Sequence, residues 1–163
     1  MEWGTLAVAA VGASFGIGAT VITDALRSRR EREQRWADAK QVTYARFLAA
    51  LTQAHSRMTV AATSGEAGLA RERAVHGAFF SDPQNSDAKS VLREVAITAP
   101  DHVYRAADAV YHQLRAARDL LSSETVNFQT PEYREAISLF FTNLDALQRL
   151  MRNDLQPPTG RRS

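Results

Sequence analysis

Four histidines, His55, His76, His102 and His112, are the side chains of this sequence whose ordinary pKa lies near neutrality, and cysteine is absent. One pairing among them could do chemistry. Asp108 and His112 stand four residues apart, so a helix places them on one face, where a carboxylate can orient an imidazole or share a divalent cation with it. Asp101, beside His102, lies about two turns upstream, and His55 would extend the set if the fold brought it close. The spacing is not the Glu-x-x-His pair of di-iron bundles. Asp108 and His112 are therefore metal candidates that lack a third ligand, and their simpler reading is a solvated helix face. The string Gly12-Ala13-Ser14-Phe15-Gly16 has the letters of a hydrolase nucleophile elbow. That motif works only on a strained strand-to-helix turn with an acid and a histidine nearby, and here it sits inside an uncharged apolar stretch. With no thiol either, the sequence predicts no catalytic residue, no cofactor, no bound metal and no enzymatic activity. Tyr104, Tyr111 and Tyr133 read as amphipathic residues at the edge of a core.

The element that contains the false elbow is the one the chain is organised around. Residues 3–23, WGTLAVAAVGASFGIGATVIT, run for 21 positions without a charge. A hydrocarbon core of about 30 Å needs roughly 20 such residues at 1.5 Å each. The stretch is read as a transmembrane helix. Its seven larger apolar residues contribute roughly −2 to −4 kcal/mol to insertion, and four glycines, Ser14 and three threonines erode that sum. Ala9, Gly12, Ala13 and Gly16 share a face of small residues, with Gly12 and Gly16 at GxxxG spacing, and this face is expected to support self-association in the bilayer. A cleavable signal peptide is not expected: the apolar segment is too long and no Lys or Arg precedes it.

The flanks set the orientation. Arg27, Arg29, Arg30, Arg32 and Arg35 follow the span, and only Glu2 and the terminal amine precede it. The positive-inside bias predicts an outside N-terminus and a cytoplasmic C-terminal domain, with residues 24–35 as a basic juxtamembrane helix near lipid headgroups. The net charge is +2, carried by 18 Arg against 2 Lys beside abundant Ala. That bias reads as codon usage of a GC-rich genome and not as a binding signal, and nucleic-acid binding is not predicted. The absence of cysteine rules out a disulfide framework or thiolate metal site and suits a reducing compartment.

Residues 36–155 must form the folded domain, a size that can bury a respectable core. No Pro or Gly interrupts Asp24 to Ser64, so the span and the first domain helix are expected to be one helix. Its apolar stripe is Tyr44, Phe47, Leu48, Leu51, Ala54, His55 and Met58, and Gly65 supplies the stop. A shorter helix is expected over 66–80, followed by a loop at 81–87. Leu92, Ala96, Ala99, Val103, Ala107, Val110, Leu114, Ala117 and Leu121 then repeat every three or four residues. Proline normally kinks or ends a helix, so either one kinked helix spans 86–122 or two abut there with Pro100 opening the second. The last helix opens with Thr130 as N-cap and Pro131 at its first position, and carries Tyr133, Ile137, Phe140, Leu144, Leu147 and Met151 at heptad spacing. Residues 156–163 are read as a disordered tail. No segment alternates with period two. The predicted class is all-α: an N-terminal transmembrane helix continuing into an antiparallel up-and-down bundle of four helices.

Three runs carry a family resemblance: Tyr44-Ala45-Arg46-Phe47-Leu48-Ala49-Ala50, then Leu92-Arg93-Glu94-Val95-Ala96-Ile97-Thr98-Ala99-Pro100, then a closing Met151-Arg152-Asn153-Asp154-Leu155. With a basic flank after one short span, the chain resembles a group of small actinobacterial membrane-anchored helical proteins over nearly its full length. The resemblance implies the anchor and the bundle and brings no activity with it. Two functions follow as expectations. One is a membrane-tethered adaptor or scaffold that presents a bundle to a cytoplasmic protein; the other is a small-ligand or metal-binding sensor whose site lies inside the bundle.

Overall fold

In the computed structural model the described residues are 3–65, 67–80, 87–123 and 125–156, with side chains from Glu31 onward except at position 33. They form five α-helices and no strand: α1 Trp3–Ala62, α2 Gly68–Phe80, α3 Ala88–Thr98, α4 Asp101–Ser122 and α5 Pro131–Leu155. The all-α class holds. The chain divides into two compact units, Met1–Ala39 and Lys40–Ser163.

Within the first unit α1 runs on without interruption, through its glycines and into the stretch from Asp24 that has neither Gly nor Pro. The side chains of Ala9, Gly12, Ala13 and Gly16, and of Arg27, Arg29 and Arg30, lie outside the described residues, as does the tail beyond Gln156. Among the described residues no helix is long and apolar enough to cross a membrane. Arg32 and Trp36 are exposed, and Arg35 pairs loosely with Glu31 at 3.7 Å.

The second unit is a bundle of four legs. α1 contributes residues 40–62 and lies antiparallel to α5: the Tyr44 hydroxyl donates to Asp154 Oδ2 at 2.6 Å near the end of α5, and Tyr133 near its start lies 3.4 Å from His55 Nε2. Gly65 and Gly68, both at positive φ, turn the chain from α1 into α2. α2 runs antiparallel to α4, since Arg71 donates from Nε to the Leu121 carbonyl at 3.0 Å while Phe79 meets Tyr111 at a ring separation of 5.9 Å. α3 opens on Asp87, whose carboxylate accepts from the Ser90 amide at 2.7 Å. α3 then folds back on α4 through two residues, Ala99 and Pro100. α2 and α3 thus succeed one another along α4 and together make the second leg.

Pro100 decides between the two sequence readings. Two helices abut there and Pro100 opens the second, as the N-cap of α4 with Ala99 extended before it; what the spacing left unstated is that the junction is the tip of a helical hairpin. The reversal frees α3 from the phase of α4. The buried face of α3 is Ala88, Val91, Leu92 and Val95, while Ala96 of the expected stripe is exposed. On α4 the stripe holds, with Val103, Ala107, Val110, Leu114, Ala117 and Leu121 buried. α5 starts at Pro131 as expected, but the Thr130 hydroxyl turns away from the helix and donates to the Asn127 carbonyl at 2.7 Å, so it makes no side-chain cap bond.

Phe47, Leu51, Met58, Leu114, Leu121, Phe140 and Leu147 fill the centre. Burying a side chain of this kind stabilises by about 1.5–3 kcal/mol. His55 and Leu48, predicted on the α1 stripe, sit at its half-buried edge.

Candidate functional site

Asp108 and His112 occupy one face of α4 as their spacing requires. His112 Nδ1 lies 2.9 Å from the main-chain carbonyl of Asp108 and 3.5 Å from its Oδ1. A carbonyl only accepts, so in this contact Nδ1 is the donor. A cation held by Asp108 would therefore meet the N–H side of the imidazole. His55 is not near them. It packs against α5, with its ring centroid 6.1 Å from that of Phe140 and 5.2 Å from that of Phe141, and burial pushes its pKa down. His76 Nε2 lies 3.8 Å from Asp119, His102 is exposed, and Asp101 pairs with Arg105 at 3.8 Å. Among the described residues no three His, Asp or Glu approach closely enough to hold a metal ion.

What the pair does line is a groove of about 290 Å³ between α3 and α4. Tyr104, Asp108, Tyr111, His112 and Arg115 present one wall from successive turns of α4. The facing wall is α3, with Lys89 and Arg93 at its rim and Leu92 and Ala96 beside them. Three of these side chains, Lys89, Arg93 and Arg115, are cationic, against the single carboxylate of Asp108. Tyr111 is buried, and desolvation raises its pKa against the opposing charges of Arg115 and Arg118. The Tyr104, Asp108, His112, Arg115 face is periodic in the sequence, and Lys89 with Arg93 share the i, i+4 spacing. Their meeting depends on the Pro100 hairpin, which the periodicity alone conceals.

The other polar groups inside the unit tie helices together. Lys40 Nζ reaches Asp154 Oδ2 at 3.0 Å beside the Tyr44 hydroxyl; burial, then the hydrogen bond to Asp154, then its charge, push the Tyr44 pKa far up. Arg71 also donates from Nη2 to the Val126 carbonyl at 3.0 Å, holding α2 to the loop after α4. Arg118, 3% exposed, lays its guanidinium 4.9 Å from the Phe79 ring centroid and bonds through Nε to Asp119 at 2.9 Å. Comparison with protein-family models, with curated proteins and with solved structures returns no match.

Proposed function

We propose that this chain is a membrane-tethered cytoplasmic interaction module, an adaptor or scaffold without enzymatic activity, akin to the actinobacterial anchored proteins it resembles. Residues 3–23 are its single span, the arginines that follow keep the bundle in the cytoplasm, and the small face of Gly12 and Gly16 pairs spans of two copies. The observation that carries this reading is how the bundle uses its polar groups. Asp154, Tyr44, Lys40, Arg71 and Arg118 all tie one helix to another or to its loops, which suits a rigid body presented to a partner. Membrane fractionation with a reporter fused after Ser163 tests it. The chain should resist alkaline extraction, the reporter should be active only in the cytoplasm, and deletion of residues 3–23 should release it. Full-length chain in the soluble fraction would overturn the tether. Affinity capture from detergent-solubilised membranes should then yield a stoichiometric protein partner.

A second reading, a small-ligand sensor, is favoured by one observation: Asp108 and His112 line a groove together with two tyrosines and three cations. On this reading the bundle reports occupancy of the α3–α4 hairpin to the partner.

A further inference from the structure

We infer that the α3–α4 groove binds a small phosphoryl-bearing anion, held by Lys89 and Arg93 from α3 and by Arg115 from α4. The inference rests on the ligand-sensing reading and names its ligand.

Local neutralisation distinguishes these three cations from their neighbours. The carboxylates nearest in sequence are committed elsewhere: Glu94 accepts from Arg46 Nη1 at 2.7 Å, Asp119 holds Arg118, Asp87 caps α3 through the Ser90 amide, and Asp101 faces Arg105. Among the described residues Lys89, Arg93 and Arg115 have no carboxylate within 4.0 Å. Asp108 is the one carboxylate in the lining, against three cations, and Asp87 acts on Tyr111 from the start of α3, so the lining itself is more positive than negative and a divalent cation would meet it unfavourably. The contact from His112 Nδ1 to the Asp108 carbonyl points the same way, because while it is made Nδ1 is no ligand for a cation beside Asp108.

The choice of a phosphoryl group over a carboxylate follows from placement. Arg93 and Arg115 stand on opposite walls. Each guanidinium is a planar fork suited to two oxygens, and a tetrahedral phosphoryl group offers oxygens to both sides at once, whereas a carboxylate offers one planar pair. The groove's 290 Å³ lies at the lower bound of small-molecule sites, which run from about 300 to 1,000 Å³, so a phosphoryl group with a small organic remainder fits. Tyr104 and Tyr111 wall the apolar part of that remainder.

Calorimetric titration of the detergent-solubilised full-length protein at low salt tests this, with inorganic pyrophosphate, dihexanoylphosphatidylglycerol below its micelle concentration, and Zn²⁺ as probes. At least one phosphoryl probe should saturate one site. Arg93→Gln and Arg115→Gln should each weaken that site about tenfold, the worth of a charge-assisted hydrogen bond. Asp108→Asn should tighten it, and Arg134→Gln, at an exposed position of α5, should leave it unchanged. Binding of pyrophosphate identifies a soluble phosphate as the source, and binding of the lipid alone identifies a headgroup; either sustains the inference. Phosphoryl binding that ignores Arg93→Gln and Arg115→Gln overturns it. Zn²⁺ binding abolished by His112→Ala, with no phosphoryl binding, overturns the anion and leaves the sensor. No binding of any probe removes both. Arg93 and Arg115 are exposed, so their variants should fold, as circular dichroism will verify.

Discussion

Asp154→Ala should be the most damaging polar substitution at the end of the bundle where α1 meets the C-terminal turn of α5. Asp154 Oδ2 accepts from the Tyr44 hydroxyl at 2.6 Å and faces Lys40 Nζ at 3.0 Å. The Lys40 and Asp154 side chains are 15% and 12% exposed, and Tyr44 is 2% exposed. Removing the carboxylate strands a phenol and an ammonium together. Breaking a fully buried ion pair costs about 3–5 kcal/mol, and a hydrogen bond to a charged group contributes about 1.5–3 kcal/mol. Water still reaches part of Lys40, so the expected loss is about 2–4 kcal/mol, which lowers Tm by roughly 6–15 °C for a unit of this size. Tyr44→Phe should cost less, about 1–2 kcal/mol, because Lys40 still neutralises Asp154. Arg105→Ala is the control: its partner Asp101 is 3.8 Å away and both side chains are largely exposed, so the change should stay within about 0.5 kcal/mol. Urea denaturation followed by far-UV circular dichroism measures all three. Equal midpoints for Asp154→Ala and Arg105→Ala would refute the claim that this cluster fastens α1 to α5. The same cluster sets an alkaline limit. The Tyr44 pKa is raised in the folded state, so its contribution is complete below the unfolded value of about 10 and is lost as pH rises beyond it. Tyr44→Phe should remove that dependence.

Phe140→Ala and Leu144→Ala, both in the core face of α5, should each cost about 2–5 kcal/mol in the same denaturation, against about 0.5 kcal/mol or less for exposed Arg134→Ala and Arg149→Ala. His55 has a lowered folded pKa, so the folded state binds fewer protons than the unfolded one below about pH 6.5; stability is full above that value and falls as pH drops through it, and His55→Leu should flatten the acid limb of a stability–pH curve. In membranes, Gly12→Ile or Gly16→Ile should reduce energy transfer between labelled copies while Ala10→Ile does not, and equal transfer in all would make the chain a monomeric anchor.

Most of the architecture was legible because it depends on local pattern. The stripe from Tyr44 to Met58, the α4 stripe from Val103 to Leu121 and the α5 heptads each register one helix against one core, and Pro131 marks a start that no tertiary contact needs to decide. Pro100 was harder for a physical reason. A residue that cannot donate an amide is compatible with a helix start whatever direction the preceding chain comes from. The near-continuous spacing from Leu92 through Val103 fits one kinked helix and two abutting helices alike. Choosing between a kink and a reversal requires knowing where Val91, Leu92 and Val95 are buried, and only packing against α4 decides that.

The groove inherits that ambiguity. Asp108 and His112 were visible as a pair, whereas Arg115 was not singled out, because a helix face acquires a chemistry only when something faces it. Were α3 collinear with α4, Lys89 and Arg93 would lie well beyond Tyr104 along the same axis, and the Asp108–His112 pair would read as half of a cation site in solvent. The reversal at Pro100 brings the two α3 cations across from Arg115 and inverts the local field. The same two titratable residues thus suggest opposite ligands depending on one turn. Separating that turn from its side chains gives a clean test. Pro100→Ala relaxes the constraint on Ala99 without touching any groove residue, and should extend helix at the tip and weaken the phosphoryl site together, whereas Arg115→Gln should weaken the site and leave helix content unchanged. If Pro100→Ala lengthens the helix with no effect on the site, the groove's charge does not depend on the hairpin.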